Sequence, residues 1–145
     1  MSKNSDYAAV LLRVALGVMF IAHGLLKVMV FTLPGTVGFF ESIGFPGWTA
    51  YIVTIAEIGG GALLLAGIAT RAVSLALLPV LLGATYVHLG NGWVFSNANG
   101  GWEYPVFLTV TLLVQALLGP GRFKAPLGTP WLSGISSNRA GSATS

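Results

Sequence analysis

Cysteine does not occur in this 145-residue chain. That removes disulfide-relay chemistry, thiolate metal ligands, iron–sulfur clusters and covalent c-type haem attachment together, so any redox role must be carried by a bound molecule. Charge is nearly as scarce, with Asp, Glu, Lys and Arg making up only 8% of residues. The formal charge of +3 and an isoelectric point near 9.6 have the sign expected of a nucleic-acid binder. With seven Lys and Arg in all, however, no basic run exists to track phosphates, and nucleic acid is rejected as a partner.

What the chain has in abundance is apolar residues: 54% are hydrophobic and the mean hydropathy is +0.82. A helix needs about 20 apolar residues at 1.5 Å rise each to cross the roughly 30 Å hydrocarbon core. Four segments qualify, at about residues 7–31, 49–68, 72–89 and 102–118. The expected fold is therefore all-α, a four-transmembrane-helix bundle occupying residues 1–122. The remainder, 123–145, is rich in Ser, Gly and Pro and is expected to be a disordered tail. Leu33-Pro34-Gly35 reads as a break, followed by a surface-lying amphipathic loop in which Phe39, Phe40 and Phe45 surround Glu41. Pro79 is tolerable as a kink in the third span, and Pro105 falls in the first turn of the fourth, where its missing N–H does no harm. A cleaved signal peptide is not expected, because the first apolar run carries Arg13 and exceeds the about 7–15 residues of a signal h-region. Lys3, Arg71, Arg122, Lys124 and Arg139 fall on one side of the four spans, whereas the first and third connections hold no Lys or Arg. The positive-inside rule then puts both termini in the cytoplasm.

The few ionisable residues inside the spans are the candidate site. A charge at membrane depth costs about 2.5–3.5 kcal/mol on insertion scales, so it usually faces the protein interior and marks function. In the first span, with Arg13 at zero on a helical wheel, Lys27 falls near about −40° and His23 near about −80°, one narrow stripe. Gly17 and Gly24 beside that stripe would admit a partner helix closely, and Gly59-Gly60-Gly61 in the second span would do the same. Counting rise from each span's midpoint puts His23 about 6 Å, and Lys27, His88 and Glu103 about 11–13 Å, toward the outer face, with Arg13 about 9 Å to the cytoplasmic side. Glu57 sits near the midplane, where a carboxylate must be protonated or have a cationic partner: Lys27, Arg13 or a histidine.

Each residue also has an ordinary structural reading. Arg13 can snorkel to cytoplasmic headgroups, Lys27 can snorkel outward, Glu103 can serve as a carboxylate at a helix N-terminus, and either histidine can be a hydrogen-bonded packing residue. Trp93 and Phe95 in the amide-rich loop NGWVFSNANGG, residues 91–101, are expected interface anchors. A metal site of two histidines and two glutamates is disfavoured. Lys27 lies one helical turn from His23, where a metal would already supply the charge, and no H-x-x-x-H or E-x-x-H spacing occurs.

The blocks LLRVALGVMFIAHGLLKV at 11–28, AEIGGGALLLAGIATRA at 56–72 and NANGGWEYPVFLTVTLLVQALLGPGR at 97–122 resemble the DoxX family of small four-helix membrane proteins. Where relatives continue GPGR with a serine and an acidic residue, this chain has Phe123-Lys124-Ala125, a departure confined to the tail. The resemblance implies a bacterial cytoplasmic membrane and a redox setting, since named members are linked to quinone-reducing oxidoreductases and oxidative-stress complexes.

Taken together, residues and resemblance give a first hypothesis, a quinone or quinone-like ligand in the outer half of the bundle. Its reduction moves protons with electrons and calls for groups that hydrogen-bond two oxygens and exchange protons near neutral pH. His23 and His88 would bind or protonate the headgroup, Glu57 would relay protons, Lys27 and Glu103 would hold the site electrostatically, and Trp93 and Trp102 would border it, with Arg13 behind. The family's thiosulfate link offers a variant in which Lys27 and the histidines bind an oxyanion. The alternative is a non-catalytic membrane subunit or assembly factor of an oxidoreductase complex, working with membrane redox partners or as a homo-oligomer, whose ion network only fixes helix pairing.

Overall fold

The computed structural model describes residues 3–123, whose regular elements are all helices, with no strand among them. Helix α1 (Lys3–Leu25) runs directly into a π-helical turn (Leu26–Val30), where the Phe31 N–H reaches back five residues to the Leu26 carbonyl at 3.0 Å. Then follow α2 (Leu33–Ser42), α3 (Thr49–Ala66), α4 (Thr70–His88) with a 3-10 turn to Asn91, and α5 (Glu103–Leu118). Three stretches are long and apolar enough to cross a bilayer: Lys3–Val30, Thr49–Ala66 and Thr70–Asn91. The fourth apolar helix, α5, has 16 residues. Its rise of about 24 Å falls short of the roughly 30 Å hydrocarbon core.

The segment expected as a surface loop after residue 31 is largely helix. Leu33-Pro34-Gly35 is the first turn of α2 and not a break, because proline lacks an N–H that a first turn leaves unbonded in any case. Thr32 caps that turn, its Oγ1 accepting from the Gly35 N–H at 3.3 Å. The hydroxyl of buried Thr36 lies 3.1 Å from the Lys27 carbonyl, so α2 folds back onto the π turn.

Helices α1 and α3 meet closely, and glycine is the cause. A Cβ on Gly17 would lie 2.9 Å from the Gly61 carbonyl oxygen, and one on Gly61 would lie 2.8 Å from that of Gly17. Gly24 faces Glu57 and Ile58 in the same seam, and Gly60 turns the other way, toward Leu77 of α4. The core of Leu16, Phe20, Leu64, Leu77, Leu81 and Leu112 draws on α1, α3, α4 and α5. Large apolar side chains also cover the outside, with Leu117 81% and Met29 75% exposed, a surface suited to lipid rather than water. The chain is a membrane protein. Its expected tail lies outside the described residues except for Phe123, whose carbonyl accepts a hydrogen bond from Arg13 Nη2.

Candidate functional site

The seam between α1 and α3 ends, on one side, at an ion pair. Lys27 Nζ donates to both oxygens of Glu57, at 2.9 and 2.8 Å. The pair is largely enclosed, with the Lys27 side chain 17% and the Glu57 side chain 7% exposed. Lys27 is delivered by the π turn, a local widening of the helix that recurs at functional sites. Gly24, one turn before it, lets α3 approach, so that a Cβ at Gly24 would stand 3.3 Å from Glu57 Cβ.

The pair borders a cavity of about 530 Å³ whose other polar walls are His23 from α1, His88 from the end of α4 and Tyr104 from the start of α5. Both imidazoles are held in the same way. His23 Nδ1 lies 2.8 Å from the Met19 carbonyl and His88 Nδ1 lies 2.7 Å from the Ala84 carbonyl, each four residues back in its own helix. A carbonyl oxygen only accepts, so each Nδ1 carries a proton and each Nε2 is left for another partner. Around His88, Gly100 fits closely: a Cβ there would be 3.6 Å from the imidazole Nε2. Tyr104 stacks on His23, ring centroids 6.2 Å apart and planes 26° apart, and its hydroxyl reaches Met19 Sδ at 3.4 Å.

Of the residues singled out from sequence, His23, Lys27, Glu57 and His88 line this cavity, while Arg13, Glu103, Trp93 and Trp102 do not. Arg13 is 3% exposed and donates through Nη1 to the Leu64 and Leu65 carbonyls at 3.0 and 2.7 Å. These are among the last carbonyls of α3, at the negative end of the helix dipole, and that of Leu64 also accepts from the Gly67 N–H at 3.0 Å. Arg13 thus caps α3 and does not snorkel to headgroups. Glu103, expected to act with Lys27, is instead a loop anchor: its Oε1 accepts from the Phe95 N–H at 2.8 Å. Trp93 and Trp102 pack edge to face, centroids 4.4 Å apart, and fasten the base of the 91–102 loop. That loop contributes Phe95, Gly100 and Gly101 to the cavity wall. Tyr104 was not anticipated. Its position next to Glu103 at a helix start was the available signal, but aromatic residues at helix starts are common in spans. Among the described residues no three His, Asp or Glu side chains gather as a metal-binding group.

A second cavity, about 470 Å³, lies against the first. It is walled by Phe39, Phe40, Phe45 and Trp48 and by Pro79 and Gly83 of α4. The two hollows have Lys27, Glu57, Val80, Ala84 and His88 in common.

Comparison with known proteins points the same way as the sequence blocks. The family model described as DoxX matches residues 8–90, a span that includes His23, Lys27, Glu57 and His88. The chain is 36% identical over 125 residues to "Putative oxidoreductase CatD" of Bacillus subtilis (strain 168), covering 86% of this chain and 88% of the relative. It is 27% identical over 125 residues to "Inner membrane protein YqjF" of Escherichia coli (strain K12), covering 85% and 92%. No solved structure matches. The chain belongs to the DoxX family.

Proposed function

We propose that this protein is a redox-associated subunit of the bacterial cytoplasmic membrane that binds a quinone headgroup in the cavity between His23, His88 and Tyr104. The observation that carries the reading is the paired histidines, each with Nδ1 tied down and Nε2 left over, on the wall of one cavity beside a buried ion pair. The volume lies within the about 300–1,000 Å³ of small-ligand sites, and the apolar wall with a few polar groups is what such sites have in common.

A quinone takes up two electrons and two protons, the electrons here coming from a reduced protein partner. The chain's own residues supply binding and proton traffic. The imidazoles of His23 and His88, each protonated from water, give one Nε2 proton apiece to the two ring oxygens, and water restores both protons through Glu57, with Lys27 holding the carboxylate in place. Tyr104 offers a flat face for the ring. An oxyanion ligand is the weaker fit, since Lys27 already spends two donors on Glu57. In the bilayer we place four crossings with both termini cytoplasmic. The Lys and Arg distribution argues for this arrangement, and the short α5 is accommodated by local thinning of the bilayer.

The CatD relative's name carries the word oxidoreductase, which favours the redox reading over a purely structural one. The test is solvent extraction of purified protein followed by chromatography for quinone, alongside a His23→Phe/His88→Phe variant. Quinone recovered with the native chain and lost with the variant is the expected result. Its reproducible absence from native protein that still binds its partner would favour the non-catalytic subunit.

A further inference from the structure

The quinone reading uses one hollow and leaves the adjoining one without a role. That second cavity is charged only where it meets the first, at Lys27 and Glu57 beside His88; apart from Thr49, whose hydroxyl donates to the Pro46 carbonyl at 2.6 Å, the rest of its wall is aromatic and aliphatic. Whatever fills it is apolar over most of its length and polar at that one end. Two features mark the common wall as a passage. Helix α1 and its π turn make no extensive packing against α4, and Lys27 from the turn and Ala84 from α4 each border both cavities. Ala84 and Val80 also present only small side chains there. Phe39 and Trp48, on the far wall of the second cavity, are 52% and 63% exposed, which gives that hollow an open, apolar rim.

We infer that the ligand is amphiphilic, with its ring in the His23–His88–Tyr104 cavity and its long apolar side chain passing between Lys27 and Ala84 into the Phe39–Phe40–Phe45–Trp48 cavity. The inference rests on the quinone reading and narrows it to quinones of the membrane pool, whose chain this second cavity recognises. Helix α2, folded back by Thr36 onto the Lys27 carbonyl, then serves as the cover of the chain site. It also follows that the ion pair lies alongside the ligand at the junction of ring and chain, where the only charges common to both cavities are found.

Gly83 provides the test. It lines the second cavity and not the first, and a Cβ there meets nothing within 4 Å, so in Gly83→Leu the new side chain starts into open space. Ala76→Leu, on the same wall, is the second plug should the first fail to accumulate. Binding of two probes is measured in nanodiscs by quenching of tryptophan fluorescence: a dimethoxy-methyl-benzoquinone without a side chain, and the same ring bearing a decyl chain. Because the bilayer is as apolar as the cavity, the native affinities of the two probes are not compared with each other; what counts is how each responds to the plug. The expected result is about a tenfold or greater loss for the decyl quinone, corresponding to about 1.4 kcal/mol or more, with the chainless quinone unchanged. Equal effects on both probes, or none on either, would overturn the chain site while leaving the ring site standing. So would a phospholipid that stays in the second cavity when decyl quinone binds. Failure of both probes to bind native protein would overturn the quinone reading itself, and this inference with it.

Discussion

Three consecutive glycines in α3 meet three different surroundings, and alanine placed at each in turn measures the α1–α3 seam. At Gly61 the new Cβ would stand 2.8 Å from the Gly17 carbonyl oxygen and 3.0 Å from the Ile21 nitrogen, both backbone atoms that no rotamer change can move. The helices must separate by roughly 0.6 Å to restore an ordinary 3.4 Å contact. Overpacking of this kind costs about 1–3 kcal/mol, and the rigidity of two packed backbones argues for the upper end. Glu57, one turn away on the same face, would be drawn off Lys27 by the same movement. At Gly60 the obstacle is the end of the Leu77 side chain at 2.9 Å, which can swing aside at smaller cost. Nothing lies within 4 Å of a Cβ at Gly59, where alanine's better helix propensity leaves stability unchanged or raised by up to about 1 kcal/mol. Thermal unfolding of the three single variants in one detergent, followed by size-exclusion fluorescence, should rank them Gly59→Ala highest, Gly60→Ala next and Gly61→Ala lowest. A Gly61→Ala protein as stable as Gly59→Ala would refute the close α1–α3 contact and the placement of the ion pair built on it.

Arg13→Leu should lower the melting temperature, since it strands the Leu65 carbonyl at about 1–3 kcal/mol and takes one of two donors from that of Leu64, while leaving quinone binding intact. A loss of binding at unchanged stability would return Arg13 to the site. The lack of native cysteine makes topology directly readable: Asn97→Cys should react with an impermeant maleimide from outside the cell and Lys3→Cys only after permeabilisation, the reverse pattern contradicting cytoplasmic termini.

How far the sequence reaches is best seen in Lys27 and Arg13. Periodicity puts them on one stripe, and at that level they are equivalent. They are separated by about 21 Å of rise, however, and depth decides what each can touch: Lys27 meets Glu57, and Arg13 meets the end of the same helix α3. The partner of Glu57 was legible as one of a few cations because burial of a carboxylate demands one. Which cation it is depends on the π turn, and no local pattern announces that one-residue widening. Glycines beside the stripe announced the close seam correctly, since small size is itself the cause of the approach. Proline misled at residue 34, where the same residue that ends a helix also starts one and only the Thr32 cap tells the two apart. Glu103 and Tyr104 exchanged the roles that residue type suggests, because the fold of the 91–102 loop, a non-local matter, turns the carboxylate toward the Phe95 N–H and the ring toward His23.

The central claim is that the ion pair and histidines carry protons for a bound quinone and do more than fix helix pairing. Removing one member of a buried pair outright costs about 3–5 kcal/mol, so Glu57→Ala would fail on either account. Glu57→Gln keeps the shape and a carbonyl that still accepts from Lys27 Nζ, but it abolishes the proton exchange. The measurement is melting temperature and quinone reduction per folded molecule on the same samples, with the electron-donating partner present. The account predicts a Glu57→Gln protein that accumulates, melts near the native temperature, retains quinone and no longer turns over. Native specific activity in well-folded Glu57→Gln protein would contradict it.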